Sequence, residues 1–143
     1  MYDLCLVMLP NLQLTNPKMY YNLGVLYLSA VTKKAGYKTV VADFRAGIGD
    51  LPEAHFYGFS ATTPEVSYAK KLAKTVSGKT IIGGAHATVL PKDCIDYFDY
   101  IVIGEGEEAI LKVLSGKASY KVVVGERITN LDKLHLTLAF IAD

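Results

Sequence analysis

The sequence predicts an α/β protein built on a doubly wound parallel sheet, and three observations support this fold class. Short apolar runs alternate along the chain with segments whose apolar residues recur at helical spacing. The runs are nearly apolar throughout, as expected of strands that are buried on both faces. The chain has 143 residues, 51% of them apolar and 20% charged, so we expect one domain with a proper core.

The first part of the chain predicts two strands joined by a loop and a helix. Tyr2–Met8 predicts the first strand, and residues 10–21 predict a loop that contains two prolines. Asn22–Ala35 predicts a helix, because its first residue can cap the N-terminus and a glycine follows its last residue. Tyr37–Ala42 predicts the second strand. Residues 44–54 then predict a loop or a short turn of helix.

The middle of the chain continues the same alternation. His55–Phe59 predicts the third strand. Pro64–Val76 predicts a helix, because proline suits its first position and the lysines in its later turns suit the helix dipole. Lys79–Ile82 and Tyr100–Ile103 predict the fourth and fifth strands. Pro91–Tyr97, between them, predicts a short helix or turn.

The last elements complete the predicted topology. Glu105–Ser115 predicts a helix with acidic residues in its first turn, and Tyr120–Val124 predicts a sixth strand, as an edge addition or a hairpin arm. Five strand–helix units in this length predict a flavodoxin-like (Rossmann-like) fold with strand order 2-1-3-4-5. We expect the domain to span residues 1–128. Residues 129–143 differ from the rest and predict a C-terminal arm or a truncated linker.

Glycines and polar residues are concentrated where the predicted strands end. In open parallel sheets, ligands bind at the carboxyl ends of the strands, near the point where the strand order reverses. The residues that follow the five strands are Pro10 and Asn11, Asp43, Ser60 to Thr62, Gly83 to Thr88, and Gly104 to Glu107. Each loop taken alone is equally explained by turns and helix caps. Several loops that agree at one end of the sheet favour a ligand site, where His86 would contact the ligand or stabilise a turn.

Several other functions are disfavoured by the same residues. The GFSAT segment lacks the second glycine of a nucleophile elbow. Gly104 and Gly106 match the letters of a dinucleotide fingerprint, but they follow the fifth strand and have acidic neighbours that would repel a pyrophosphate. The three histidines and two cysteines show no metal-ligand spacing. A net charge of +1 without a basic stripe does not indicate nucleic-acid binding. No signal peptide or membrane segment is evident, so we expect a cytoplasmic protein.

Four motifs resemble the N-terminal cobalamin-binding domain of B12-dependent radical SAM enzymes: NLGVLYLSAVTKKAGY, YGFSATTPEVSYAKKLAK, IIGGAHATVLP and YIVIGEGEEAI. Their order and spacing match from Leu9 to about Gly125. The resemblance implies a corrinoid held over the carboxyl ends of the strands, with its dimethylbenzimidazole tail in a slot at the side of the sheet. It implies cofactor contacts at Leu9, Pro10, Asn11, Leu12, Ser60, Ala61, Thr62, Gly83, Gly84, His86, Ala87, Gly104, Glu105 and Gly106.

Two departures from related proteins refine this expectation. The B12 domains of methyltransferases and mutases carry Asp-x-His-x-x-Gly after the first strand, and that histidine ligates cobalt. The corresponding loop here, PNLQLTNPK, has no histidine, which implies that the loop supplies no histidine ligand to cobalt. Radical SAM enzymes also need a Cys-x-x-x-Cys-x-x-Cys triad, whereas this chain has only Cys5 and Cys94. We therefore expect a non-catalytic module, without an iron–sulfur cluster or metal site of its own, that presents a corrinoid to a radical SAM or methyltransferase partner.

Two alternatives of a different class stay open at this point. One is a protein-interaction module that keeps the fold but binds no ligand, and the apolar segment Leu134–Ile141 is compatible with it. The other is a flavin or nucleotide binder on the same fold. The sequence leaves open the oligomeric state, the partner enzyme, and whether Asp143 is the natural end of the chain.

Overall fold

The computed structural model describes residues 1–10 and 22–125. The predicted contacts Asn11 and Leu12 and the predicted arm at residues 129–143 lie outside these ranges. The strands within them are β1 (Tyr2–Met8), β2 (Thr39–Asp43), β3 (Ala54–Ser60), β4 (Lys79–Gly83), β5 (Tyr100–Ile103) and β6 (Val122–Val124). The helices are α1 (Leu23–Lys34), α2 (Val66–Ala73), α3 (Ala85–Val89) and α4 (Glu107–Leu114), with a 3₁₀ turn at Pro91–Asp93.

The six strands form one parallel sheet in the order β2-β1-β3-β4-β5-β6. This confirms the predicted doubly wound fold and the order of its first five strands. The sixth strand pairs with β5 in parallel, with Ile101 opposite Val122, so it extends the edge of the sheet. The alternative of a hairpin arm is wrong, because a hairpin would pair its strands antiparallel. The strand order reverses between β1 and β3, which places the switch point at their carboxyl ends.

Both faces of the sheet are buried, as the continuously apolar strands predict. Successive residues of β1 point to opposite faces, so Leu4 and Leu6 pack in one apolar cluster, and Cys5 and Val7 pack in another. The first cluster includes apolar residues of α1 and α4, and the second includes apolar residues of α2 and α3. Helices on both faces of the sheet are the expected result of right-handed crossovers between parallel strands.

Helix boundaries differ from the predicted ones where the chain turns. The N-terminus of α1 is capped by Asn22, whose side-chain oxygen accepts a hydrogen bond from the Val25 N–H at 3.2 Å. The second helix begins at Val66 rather than Pro64, because residues 63–65 form a turn first. The short helix α3 follows Gly84 directly, within a segment that the sequence predicts as loop. No helix in the described ranges is long and apolar enough to cross a membrane.

Candidate functional site

A narrow slot enters the protein at the carboxyl ends of β3, β4 and β5, between the sheet and the helices α1 and α4. Its volume is about 210 Å³. The sheet side of the slot is formed by Leu6, Gly58, Ile81 and Val102, which come from four neighbouring strands. Three of these side chains belong to the apolar cluster on this face, so the slot reaches into the core.

Helices α1 and α4 form the opposite wall of the slot. The first helix contributes Gly24, Val25 and Leu28, and the fourth contributes Ile110. A Cβ on Gly24 would lie 3.2 Å from the capping oxygen of Asn22, so a larger residue at position 24 would crowd the helix cap. The depth of the slot is therefore lined by aliphatic side chains and glycines.

The polar groups of the slot lie at its mouth. Ser60 stands at the end of β3, and its carbonyl oxygen accepts a hydrogen bond from Asn22 Nδ2 at 3.4 Å. Glu105 and Glu107 stand on the opposite rim, after β5. The Oε2 atom of Glu107 is buried and has no hydrogen-bond partner among the described residues. The mouth thus carries a hydroxyl on one side and carboxylates on the other.

Gly83 and Gly84 both line the slot, but they serve different purposes. A Cβ on Gly83 would lie 3.7 Å from the Cβ of Val102, an ordinary van der Waals distance. Gly84 has φ +95°, and a Cβ there would lie within 2.9–3.0 Å of the Ala61 backbone and the Ser60 hydroxyl. Gly84 is therefore required by the backbone itself, whereas a side chain at position 83 would extend into the slot without displacing protein atoms.

The loop after β3 is held by a buried carboxylate. Glu65 is 2% exposed, and its Oε1 atom accepts a hydrogen bond from the Thr62 N–H at 2.9 Å. Its side chain reaches back to a backbone donor near the start of α2, as in a capping box. The Oγ1 atom of Thr62 is buried and has no partner among the described residues. Thr62 lies next to the slot but does not line it.

His86 lies next to the Gly-Gly turn, and its ring contacts protein groups away from the slot. The ring is within hydrogen-bond distance of two side chains, at 3.1 Å from Nδ1 to Thr63 Oγ1 and 2.7 Å from Nε2 to Asp93 Oδ2. Only 4% of the residue is exposed. Hydrogen bonds from Lys70 and His86 hold the pKa of Asp93 below its usual value. These contacts favour the turn-stabilising role for His86.

Ligand atoms of His86, Asp93 and Cys94 lie within 4.8 Å of one another, a spacing that a metal ion could bridge. The chemistry of these groups does not favour a metal. The Lys70 ammonium already lies 2.9 Å from the Asp93 carboxylate, where it supplies a positive charge. Burial raises the pKa of the Cys94 thiol, which keeps it protonated, whereas a metal ligand must be a thiolate. We interpret this group as an ion pair beside a buried thiol.

The structure gathers six of the residues implied by the resemblance around the slot: Ser60, Gly83, Gly84, Gly104, Glu105 and Gly106. The other described ones do not line it. Leu9, Ala61 and Ala87 pack in the apolar cluster on the opposite face, His86 makes the contacts given above, and Pro10 is buried at the end of β1. The sequence reasoning missed Gly58 and the slot residues of α1 and the later part of α4. Glu107 was expected at the ligand end of the sheet, but the resemblance did not imply it as a contact. A glycine inside an apolar strand was the available signal for Gly58.

Comparisons with known proteins identify the family. A family model described as "B12 binding domain" matches residues 15–114, well over half of the chain. Cytidylyl-2-hydroxyethylphosphonate methyltransferase from Streptomyces wedmorensis is 30% identical over 129 residues, a match that covers 66% of this chain and 24% of that protein.

Solved structures show the same fold. The radical S-adenosylmethionine methyltransferase TsrM from Kitasatospora setae, solved with tryptophan substrate and a SAM analogue, superposes with a TM-score of 0.68 at 14% identity, over 82% of this chain and 26% of that one. Its structure with cobalamin and a 4Fe–4S cluster bound gives 0.66 at 15% identity, over 82% and 25%. The chain spans about a quarter of the length of these relatives. The extent of the family match shows that this chain belongs to the B12-binding domain family, whose cofactor is cobalamin.

Proposed function

We propose that the chain holds cobalamin with the base of its nucleotide tail in the slot and its corrin ring over the carboxyl ends of the strands. The observation that carries this proposal is the apolar slot of about 210 Å³ at the carboxyl ends of the strands. An apolar protein cavity of ~150 Å³ already accepts one benzene ring. A flat two-ring base suits a slot that is somewhat larger and is lined by glycines and aliphatic side chains.

Different residues would contact different parts of the cofactor. Gly58 and Gly83 keep its depth open, because side chains at these positions would occupy space beside Leu6 and Val102. The Ser60 hydroxyl stands at the mouth, where it would contact the tail or its neighbouring phosphate. Leu9 and Pro10, at the end of β1, would lie below the corrin ring.

The chain's own residues favour a cobalt without a histidine ligand from the first loop. Residues 11–21 contain no histidine. His86 is engaged with Thr63 and Asp93, and His55 lies near the start of β3, at the end of the sheet opposite the slot. When bound, cobalamin would supply a cobalt centre that accepts and donates a methyl group. The apolar end of β1 would keep protein ligands away from the lower face of that centre.

A partner or a further domain would complete the chemistry. The relative from Streptomyces wedmorensis and TsrM are both methyltransferases, and this chain matches only about a quarter of each. The two cysteines of this chain are both buried in one apolar cluster and cannot form a cluster-binding triad. We therefore propose that the chain binds and presents the corrinoid, and that a radical SAM or methyltransferase partner carries out the transfer.

The proposal is tested by titrating the purified chain with hydroxocobalamin and recording absorbance after gel filtration. We expect a corrinoid spectrum that co-elutes with the protein at a 1:1 ratio, as one slot implies. FMN and ATP, tested in the same way, should not co-elute. Co-elution of FMN or ATP instead of hydroxocobalamin would favour the flavin or nucleotide alternative. A colourless peak with all three probes would favour the interaction module.

A second experiment addresses the cobalt ligand. The His86→Ala variant, loaded with hydroxocobalamin, should show the same cobalt absorption bands as the wild-type complex. His55→Ala is the matched control, because it removes a histidine at the far end of the sheet. A band shift specific to His86→Ala would mean that this ring ligates cobalt in the complex.

A further inference from the structure

The rim of the slot after β5 carries a carboxylate that the fold leaves unsatisfied. Glu107 is the first residue of α4, and its Oε2 atom is buried with no hydrogen-bond partner among the described residues. A buried acceptor without a donor is costly, so native proteins seldom retain one that serves no purpose. The side chain also lines the slot, so a bound molecule could supply the missing donor.

The type of group that would bind there follows from the charge of the rim. A carboxylate accepts hydrogen bonds and repels anions, and Glu105 adds a second negative charge on the same rim. A phosphate is therefore disfavoured at this position, whereas a neutral hydroxyl or amide donor is favoured. The opposite side of the mouth presents the Ser60 hydroxyl and has no acidic residue lining it. The Glu107 rim thus favours a neutral hydrogen-bond donor, whereas the Ser60 rim does not repel a phosphate.

We infer that Glu107 accepts a hydrogen bond from a ribose hydroxyl of the corrinoid's nucleotide tail and thereby makes the site selective for complete corrinoids. This inference rests on the proposed function, since it assumes that the tail's base occupies the slot. The ribose is bonded directly to that base, so it must lie at the mouth when the base lies in the depth. The same arrangement directs the phosphate away from Glu107 and towards the Ser60 rim.

The experiment compares two ligands and three variants. Hydroxocobalamin carries the complete tail, whereas dihydroxocobinamide lacks the base, the ribose and the phosphate. Affinities for both are measured by absorbance titration of wild type, Glu107→Ala and Glu107→Gln. Glu108→Ala is the matched control, because Glu108 lies in the same first turn of α4, is exposed and does not line the slot.

We expect Glu107→Ala to weaken hydroxocobalamin binding by about 10- to 100-fold, the range for a hydrogen bond to a charged group. Its affinity for dihydroxocobinamide should be unchanged. Glu107→Gln keeps an acceptor oxygen and should show a smaller loss. Glu108→Ala should bind both ligands like wild type. In the absence of ligand, Glu107→Ala should be at least as stable to thermal unfolding as Glu108→Ala, because it removes a buried acceptor that lacks a donor.

Each other outcome overturns the inference in a recognisable way. Equal losses for both ligands would place the donor on a corrin amide rather than on the ribose. Tighter hydroxocobalamin binding by Glu107→Ala would mean that the carboxylate faces the phosphate. A lower melting temperature than that of Glu108→Ala would reveal a donor within the protein. If wild type itself bound no hydroxocobalamin, the proposed function would fail first, so the two failures are distinguishable.

Discussion

The Gly83→Leu substitution should block the slot while leaving the fold intact. A Cβ at position 83 would meet only Val102, at 3.7 Å, and the backbone does not require glycine there. A leucine at position 83 would add four side-chain carbons that extend into the slot of about 210 Å³. Since a cavity of ~150 Å³ holds a single benzene ring, the slot would then be too small for a two-ring base. The base of the cofactor would then be excluded from the slot.

The expected loss of affinity follows from the apolar area that the base would no longer bury. An aromatic group that buries 150–250 Å² gains about 4–6 kcal/mol at ~25 cal/mol per Å². This corresponds to an upper bound of about 10³- to 10⁴-fold in Kd. The hydroxocobalamin affinity of Gly83→Leu should therefore fall until it approaches the affinity of wild type for dihydroxocobinamide, which has no base to bury.

Absorbance titration measures both affinities, and circular dichroism with thermal unfolding checks the fold. Gly49→Leu is the matched control, because Gly49 is an exposed loop glycine whose added Cβ would lie 3.8 Å from Phe44. It should bind hydroxocobalamin like wild type. Tight binding of hydroxocobalamin by a folded Gly83→Leu variant would refute the placement of the base in this slot.

Three further predictions concern stability and reactivity. Gly84→Ala should lower the free energy of unfolding by about 1–3 kcal/mol in chemical denaturation, because φ +95° strains any other residue; wild-type stability would contradict this. Asp93 has a pKa lowered from 3.8 by its basic neighbours, so its ionised form stabilises the fold above that pH and this contribution is lost as the pH falls through the lowered pKa. At pH 6 the free energy of unfolding of Asp93→Asn should therefore be lower than that of wild type, by less than about 1 kcal/mol, since the carboxylate is 44% exposed. This difference should shrink below the lowered pKa, and Asp96→Asn is the control. Burial raises the pKa of Cys5 to about 11 and also raises that of Cys94. Iodoacetamide at pH 8 should therefore alkylate both thiols only after denaturation, as detected by mass spectrometry, and alkylation of the native protein would contradict this.

The parallel pairing of the strands and the end of the sheet that holds the candidate site could be predicted from the sequence, because both follow from local patterns, whereas the strand order followed from the fold class. Continuous apolar runs predict strands that are buried on both faces, and alternation with helices predicts their parallel pairing. The Gly-Gly pair at the end of β4 and Ser60 at the end of β3 were predicted at the site for the same reason, since parallel strands end at one edge. The structure places all three residues in the lining of the slot.

The roles of individual side chains were less accessible because they depend on contacts between distant segments. His86 follows the Gly-Gly pair in the sequence, yet its ring contacts Thr63 and Asp93, which come from two other loops. Gly83 and Gly84 are adjacent and identical in type. Only the approach of Ala61 to Gly84 distinguishes a glycine required by the backbone from one that keeps the slot open.

The sequence by itself determined the α/β class, the parallel pairing of the strands and the end of the sheet at which a ligand would bind, because hydrophobic periodicity and turn residues are local properties. The tertiary structure alone decided that helices α1 and α4 leave a slot beside the sheet, and that an acidic residue, Glu107, faces it. These features arise from the packing of segments about eighty residues apart in the chain. Such packing leaves no periodic signal in the sequence, so only the folded arrangement could reveal it.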